Sequence, residues 1–246
     1  MIIKINGKKI NYHVFGHGQP IVFVHGWGGS IRSLEDLALL SSDKYQAIIL
    51  DLPGFGKSDI PEPSWGVGEY AEIIVKLIKS LRLNDVVYFG HSFGGSLGIY
   101  ISVNYPNLIK KLILCNSSYQ RLGKKTIIYE TFKKIVQIFP SVKKQAERFK
   151  KILYGIFFRG SDLLKYPLLE KNFKKIMEQN LSPLLTKINA PTLILWGEND
   201  QVTPLASGIK LKQSIKQSRF KSYPNVGHNL PTKYPDLMFK EINRFI

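Results

Sequence analysis

Apolar positions along this chain follow two rhythms, and the places where one gives way to the other outline the fold. Pro20 to His25, Gln46 to Asp51, Val86 to Gly90, Lys111 to Cys115 and Thr192 to Trp196 are short, nearly unbroken apolar runs. Such runs predict strands covered on both faces, as in a parallel sheet. Met1 to Gly7 and Lys9 to Phe15 alternate apolar and polar residues and predict an antiparallel start. Phe220 to Tyr223 supplies the last strand. Between the runs the spacing turns helical, most clearly around Glu69 to Arg82. Together these predict an α/β fold: a mostly parallel, eight-stranded sheet with helices on both faces.

Residues 119–187 break the alternation. They offer no convincing strand, and their helical patterns are interrupted at Pro140, Gly160 and Pro183. Ile127, Ile128, Phe132, Ile135, Val136 and Phe139 share one helical face; Phe149, Ile152, Leu153, Ile156 and Phe157 share another. Lysine pairs such as Lys133-Lys134 and Lys150-Lys151 fill the opposite faces. Because the strand rhythm resumes at Thr192, the expected organisation is one core domain, 1–118 and 188–246, interrupted by a helical cap at 119–187.

Charge sharpens this division. The 246 residues carry a formal charge of +17, and the inserted stretch, with 16 basic against 5 acidic residues, supplies +11 of it. Lysines on the polar faces of cap helices are expected to be solvated. An anionic membrane surface or an acidic acyl carrier protein are the alternative partners. Nucleic acid is not expected, since no recognition motif accompanies the charge. The N-terminus lacks a basic start followed by an apolar run, and no apolar run approaches the ~18 residues of a spanning helix. The expectation is a soluble, cytoplasmic protein. The single cysteine, Cys115, lies in an apolar strand and reads as a core residue.

The most informative stretch is Val86 to Gly95. An apolar strand runs into Gly90-His91-Ser92-Phe93-Gly94, and a helical pattern begins near Phe93. A serine on a tight strand-to-helix turn is lifted above the sheet edge, and it needs small neighbours because the turn is cramped. Ser92 is therefore the candidate nucleophile. A second glycine-rich loop, His25-Gly26-Trp27-Gly28-Gly29, follows another buried strand. Acyl transfer needs two N–H donors aimed at the tetrahedral oxyanion. The backbone N–H groups of Trp27 and Phe93 are the candidates. The Trp27 ring lends itself either to the substrate pocket or to packing, and His25 to organising its loop.

These two loops, with Asp51-Leu52-Pro53-Gly54-Phe55-Gly56-Lys57-Ser58, resemble the α/β-hydrolase superfamily, in particular its single-domain carboxylesterase-like members with a helical cap. The resemblance covers the chain outside the cap. It implies a triad in the order serine, carboxylate, histidine. The loop Gly197-Glu198-Asn199-Asp200 resembles the family's acid loop and implies Asp200, with Glu198 as runner-up. In some members the acid follows the sixth strand, but Asn116 stands there and is no carboxylate. Gly227-His228 resembles the catalytic-histidine loop and implies His228 as base. Asp51 reads as structural.

Haloalkane dehalogenases and epoxide hydrolases share the look of Asp51 to Ser58 but use an aspartate nucleophile, so Ser92 excludes both. The five histidines are scattered and imply no metal site. No nucleotide-binding glycine pattern follows a strand, so no cofactor is implied. The expected function is hydrolysis of a small-molecule carboxylic ester through an acyl-enzyme. Lactone, thioester or C–C bond hydrolysis by the same triad is the alternative. The likeness at Trp27 and at Asp51 to Ser58 extends to an esterase of biotin synthesis, which makes an acyl-carrier methyl ester a further alternative. A non-catalytic ligand receptor is the reading from outside enzymes.

Overall fold

The computed structural model describes residues 1–120 and 165–246. Eight strands form one sheet: β1 (Ile2–Ile5), β2 (Lys8–Phe15), β3 (Pro20–Val24), β4 (Gln46–Leu50), β5 (Val86–His91), β6 (Ile109–Cys115), β7 (Thr192–Gly197) and β8 (Ser218–Tyr223). Their spatial order is β1-β2-β4-β3-β5-β6-β7-β8. β1 and β2 pair antiparallel, β2 joins β4 antiparallel, and every later pairing is parallel. The expected α/β fold with a mostly parallel eight-stranded sheet is thus the observed one.

Burial explains why the strands look as they do. All six residues of β5 are buried, and β3 and β4 are buried after their first residue. β8 is different. It is the last strand of the sheet and mixes buried with exposed positions. Its period is therefore blurred, and it begins at Ser218, two residues before the apolar pattern announces it.

Helices cover both faces. α1 (Glu35–Ser41) precedes β4, α2 (Val67–Ser80) precedes β5, and α3 (Phe93–Asn104) joins β5 to β6. α2 starts where the Glu69 carboxylate accepts the backbone N–H of Gly66, a capping contact that satisfies a free helix-end donor. It buries Val67, Tyr70, Ala71, Ile73, Ile74, Leu77 and Ile78 on one side. α3 is buried almost all round. After β6 the described chain resumes with a 3₁₀ turn at Pro167–Leu169, α4 (Glu170–Glu178) and a second 3₁₀ segment at Ser182–Lys187. α5 (Leu205–Ser214), α6 (Leu230–Lys233) and α7 (Pro235–Phe245) complete the chain.

The cap helices expected around 127–139 and 149–157 lie outside the described residues. The described part of 119–187 contains helix and no strand. It is tied to the core at several points. Gln179 Oε1 accepts the N–H of Val67 at 2.6 Å, Lys175 Nζ meets Glu69 Oε1 at 2.7 Å, and Asn172 Nδ2 donates to the carbonyl of Glu62 at 2.8 Å. No helix among the described residues is long and apolar enough to cross a membrane.

Candidate active site

The parallel strands end on one edge of the sheet, and the loops that leave β3, β5, β6, β7 and β8 there build the site. β5 hands over to α3 at Ser92, whose backbone sits at φ 52° and ψ −113°. A non-glycine residue in this region costs on the order of 1–3 kcal/mol and persists only where its surroundings hold it. They do so here. Ser92 N donates to Cys115 O at 3.0 Å, and Ser92 O accepts from Gly95 N at 3.0 Å and Ser118 N at 3.1 Å. The flanking glycines make the turn sterically accessible. A Cβ on Gly90 would stand 2.5 Å from the carbonyl oxygen of Gly94, and one on Gly94 would collide with the carbonyl of Val24.

His228, in the loop after β8, bridges two partners. Its Nε2 is 3.0 Å from Ser92 Oγ, and its Nδ1 is 2.8 Å from Asp200 Oδ2. Facing a carboxylate, Nδ1 carries the proton, and the Nε2 lone pair is left toward the serine. Asp200 follows β7 and is 3% exposed. Its Oδ1 accepts from the N–H groups of Val202 and Thr203, at 2.7 and 2.8 Å. Its Oδ2 accepts from His228, from Thr203 Oγ1 at 2.6 Å and from Asn116 Nδ2. Burial alone would push this carboxyl's pKa up, but the hydrogen bonds from His228, Thr203 and Asn116 outweigh it and hold the pKa below the ordinary value. The structure thus brings Ser92, His228 and Asp200 into one hydrogen-bonded chain.

Glu198 is elsewhere. It is exposed and accepts a hydrogen bond from Ser222 Oγ at 2.7 Å. His25 is fully buried. Its Nε2 accepts the N–H of Leu52 at 3.0 Å, and its Nδ1 then donates to Gly26 O at 2.7 Å. Both ring nitrogens are committed to holding the loops after β3 and β4 together, so His25 has no lone pair for the serine proton. Asp51 takes a similar structural part. It accepts from the N–H groups of Ile31 and Lys57 and from Asn11 Nδ2, at 2.7, 2.9 and 2.8 Å. The two candidate oxyanion donors flank Ser92. Phe93 is the first residue of α3, so its N–H has no acceptor within the helix. The loop carrying Trp27 passes close by, since a Cβ on Gly26 would stand 3.0 Å from the Cβ of Ser92.

Three residues of this site escaped the sequence reading. Asn116, considered there only as the place of a missing carboxylate, donates to the carboxylate of Asp200. Thr203 bonds Asp200 through both its N–H and its hydroxyl; its signal was the spacing of an aspartate followed three residues on by threonine. His91, the residue before Ser92, is the third. Its Nε2 donates to the carbonyl oxygen of His228 at 2.9 Å, and its ring lies 4.9 Å from that of His228. No local signal marks a bond between residues 137 apart.

His91 also has a consequence for acid stability. Burial, reinforced by the charge of His228 and only partly offset by its backbone bond and by Asp200, lowers its pKa to about 3. His25, buried as well, is shifted in the same direction. Below the ordinary histidine pKa of 6.5 the unfolded chain takes up protons that the folded protein refuses. Stability is therefore full above that pH and is lost as the pH falls toward 3. Each such histidine contributes a slope of up to about 1.4 kcal/mol per pH unit. The melting temperature is expected to drop between pH 7 and pH 5, and less steeply in His91→Gln, whose amide N–H can keep the bond to His228 O. Equal slopes in the two proteins would mean that His91 is already protonated in the folded state.

The family profile described as the alpha/beta hydrolase fold matches residues 19–150 and 169–231, and the chain belongs to this family. It is 29% identical to the uncharacterized hydrolase YugF of Bacillus subtilis (strain 168), over 98% of this chain and 96% of that protein. It is 26% identical to the 2-hydroxy-6-oxononadienedioate/2-hydroxy-6-oxononatrienedioate hydrolase of Escherichia coli, over 98% of this chain and 92% of that one. Among solved structures, the enol-lactonase from Burkholderia xenovorans LB400 superposes with a TM-score of 0.79 at 20% identity, covering 100% of this chain and 99% of its own. The chain is accordingly a hydrolase of the α/β-hydrolase fold.

Proposed function

We propose that this hydrolase cleaves carboxylic esters through an acyl-enzyme. The observation that supports this reading is the continuous chain from Ser92 Oγ through His228 to Asp200 Oδ2, set on a strained strand-to-helix turn. Ser92 Oγ attacks the ester carbonyl while its proton passes to His228 Nε2. The N–H groups of Trp27 and Phe93 stabilise the oxyanion. As the C–O bond breaks, His228 returns the proton to the departing alcohol. Water then attacks the acyl-enzyme, with His228 again taking and returning the proton, and the carboxylic acid leaves. Asp200 holds the Nδ1–H tautomer and stabilises the imidazolium that forms.

The likeness to the E. coli dienedioate hydrolase and to the enol-lactonase favours a second reading, in which the same groups cleave a C–C bond or an enol lactone. Fold and triad do not separate these reactions. A panel of p-nitrophenyl esters of graded chain length, a lactone set and a vinylogous diketo acid would decide, with labelling of Ser92 by a fluorophosphonate as the test of nucleophilicity. Turnover confined to the diketo acid would replace the ester reading with the second.

The cap reading at 119–187 belongs to the same proposal, with a small neutral ester held beneath it. Hydrolysis of p-nitrophenyl butyrate is then expected to change less than about twofold between low and physiological salt, because a neutral substrate is not steered by a surface field. Tight, salt-sensitive co-sedimentation with anionic vesicles, or capture of an acidic acyl carrier protein, would instead assign the charge of this stretch to a partner.

A further inference from the structure

Beside Ser92 the structure buries two hydrogen-bond donors that no described residue uses. Tyr70, on the inner face of α2, is 0% exposed, and its hydroxyl has no hydrogen-bond partner among the described residues. The indole Nε1 of Trp27 is buried and equally without a partner. The two rings belong to one cluster around the residue that follows Ser92. Tyr70 meets Phe93 edge-on at 5.3 Å between ring centres, Trp27 meets Phe93 at 5.7 Å, and Trp27 and Tyr70 lie 6.4 Å apart. A buried donor without an acceptor forfeits its bond to water and gains nothing, so native proteins hold few of them. Phenylalanine would fill either position as well if packing were the only demand.

Both groups ask for the same thing. An indole N–H can only donate, and burial pushes the Tyr70 pKa well up, so its hydroxyl remains a neutral O–H donor. The surroundings decide which acceptor fits. The described rings packed edge-on or tilted against these two are Phe55, Trp65, Phe93 and Phe173, none of them charged. His25, which touches Phe55 edge-on, is held neutral by burial and has both ring nitrogens engaged. A carboxylate placed among these described side chains would be desolvated, and none of them carries a positive charge to compensate it, whereas a neutral oxygen would be matched.

Taking the ester-hydrolase reading as its basis, we propose that Tyr70 Oη–H and Trp27 Nε1–H form a two-donor subsite beside Ser92. The favoured ester then carries a neutral oxygen acceptor (a ketone, ether or amide carbonyl) remote from the scissile carbonyl. This subsite sets specificity; neither side chain takes part in proton transfer.

The test compares p-nitrophenyl esters of oxo- and ether-containing acids with plain alkanoates matched in length, and with monoesters ending in a carboxylate. The wild-type protein is expected to favour the best neutral oxygen-bearing ester by about tenfold in kcat/KM, roughly one hydrogen bond's worth. Tyr70→Phe and Trp27→Phe are each expected to collapse that ratio. Without ligand, Tyr70→Phe is also expected to melt roughly 2–4 °C higher, because it deletes an unsatisfied hydroxyl. Ser92→Ala separates the subsite from the reaction: the corresponding oxo and plain methyl esters are titrated into it by indole fluorescence, which requires no turnover. Failure of every ester with the wild-type protein would remove the ester reading, while an oxo preference in this binding measurement would keep the subsite. Equal binding of the oxo and plain esters, retention of the preference in Tyr70→Phe, a preference for the carboxylate series, or a Tyr70→Phe protein that melts lower would each overturn the proposal.

Discussion

Replacing Ser92 by alanine is expected to reduce kcat for a p-nitrophenyl ester by about 10⁶-fold, to the residue left by binding and the oxyanion donors alone. The size of the effect follows from the position of Oγ. Among the described residues it is the only nucleophilic oxygen placed against His228 Nε2, and no other described side chain there can inherit its part. Cys115, the one thiol, is fully buried, and burial pushes its pKa up, away from the reactive thiolate. The fold should survive the change. Among the described residues the Ser92 side chain hydrogen-bonds His228 alone, a bond worth about 1 kcal/mol. The backbone bonds that hold the turn come from main-chain atoms that alanine retains. Turnover measured alongside thermal melting checks both halves: a folded alanine variant that keeps more than a few per cent of the rate would falsify the assignment.

Asp200→Asn is expected to lower turnover by about 10³ to 10⁴-fold through the tautomer of the base. An amide N–H facing His228 Nδ1 makes that nitrogen the acceptor. The ring proton then moves to Nε2, which points at Ser92 Oγ and can no longer take its proton. The variant should lose stability as well. Asp200 gathers five donors, and an amide nitrogen in place of Oδ2 sets a donor against Asn116 Nδ2. A buried unmatched pair of this kind costs about 1–3 kcal/mol, or several degrees of melting temperature. Glu198→Gln provides the contrast. It alters an exposed bond to Ser222 and nothing at His228, so its rate should stay within about twofold. If Glu198→Gln were the damaging change and Asp200→Asn the mild one, Glu198 would be the acid.

The sheet was legible because parallel strands are covered on both faces. β3, β4 and β5 had to be apolar nearly throughout, and the sequence shows them as unbroken runs. β8 read poorly for the opposite reason. As an edge strand it needs only partial burial, so Ser218 and Arg219 at its start carry no apolar signal. The strand order could not be read. Placing β4 between β2 and β3 depends on crossovers over the sheet, and a strand's own composition does not record its neighbours.

The site divides in the same way. The turn at Ser92 is a local steric problem, solved by glycines two residues to either side, so it lies open in a stretch of five residues. Asp200 and His228 were reached through loop patterns and chain order. Their meeting with Ser92 joins positions 28 and 136 residues apart, and no local pattern specifies that. His91 shows the limit most clearly. In sequence it is the neighbour of Ser92; in the fold it is the donor that holds the backbone of His228. Asn116, likewise, acts on an aspartate 84 residues away. By itself the sequence determined which segments are strands or helices, where the backbone must turn sharply, and which residue types with the right chemistry stand at strand ends, because periodicity, glycine and side-chain chemistry act over a few residues. Only the tertiary structure decided which of those strand ends face one another. Parallel pairing carries the C-terminal ends of β3, β5, β6, β7 and β8 to one edge of the sheet, and the hydrogen bonds that make a site of them form across that edge.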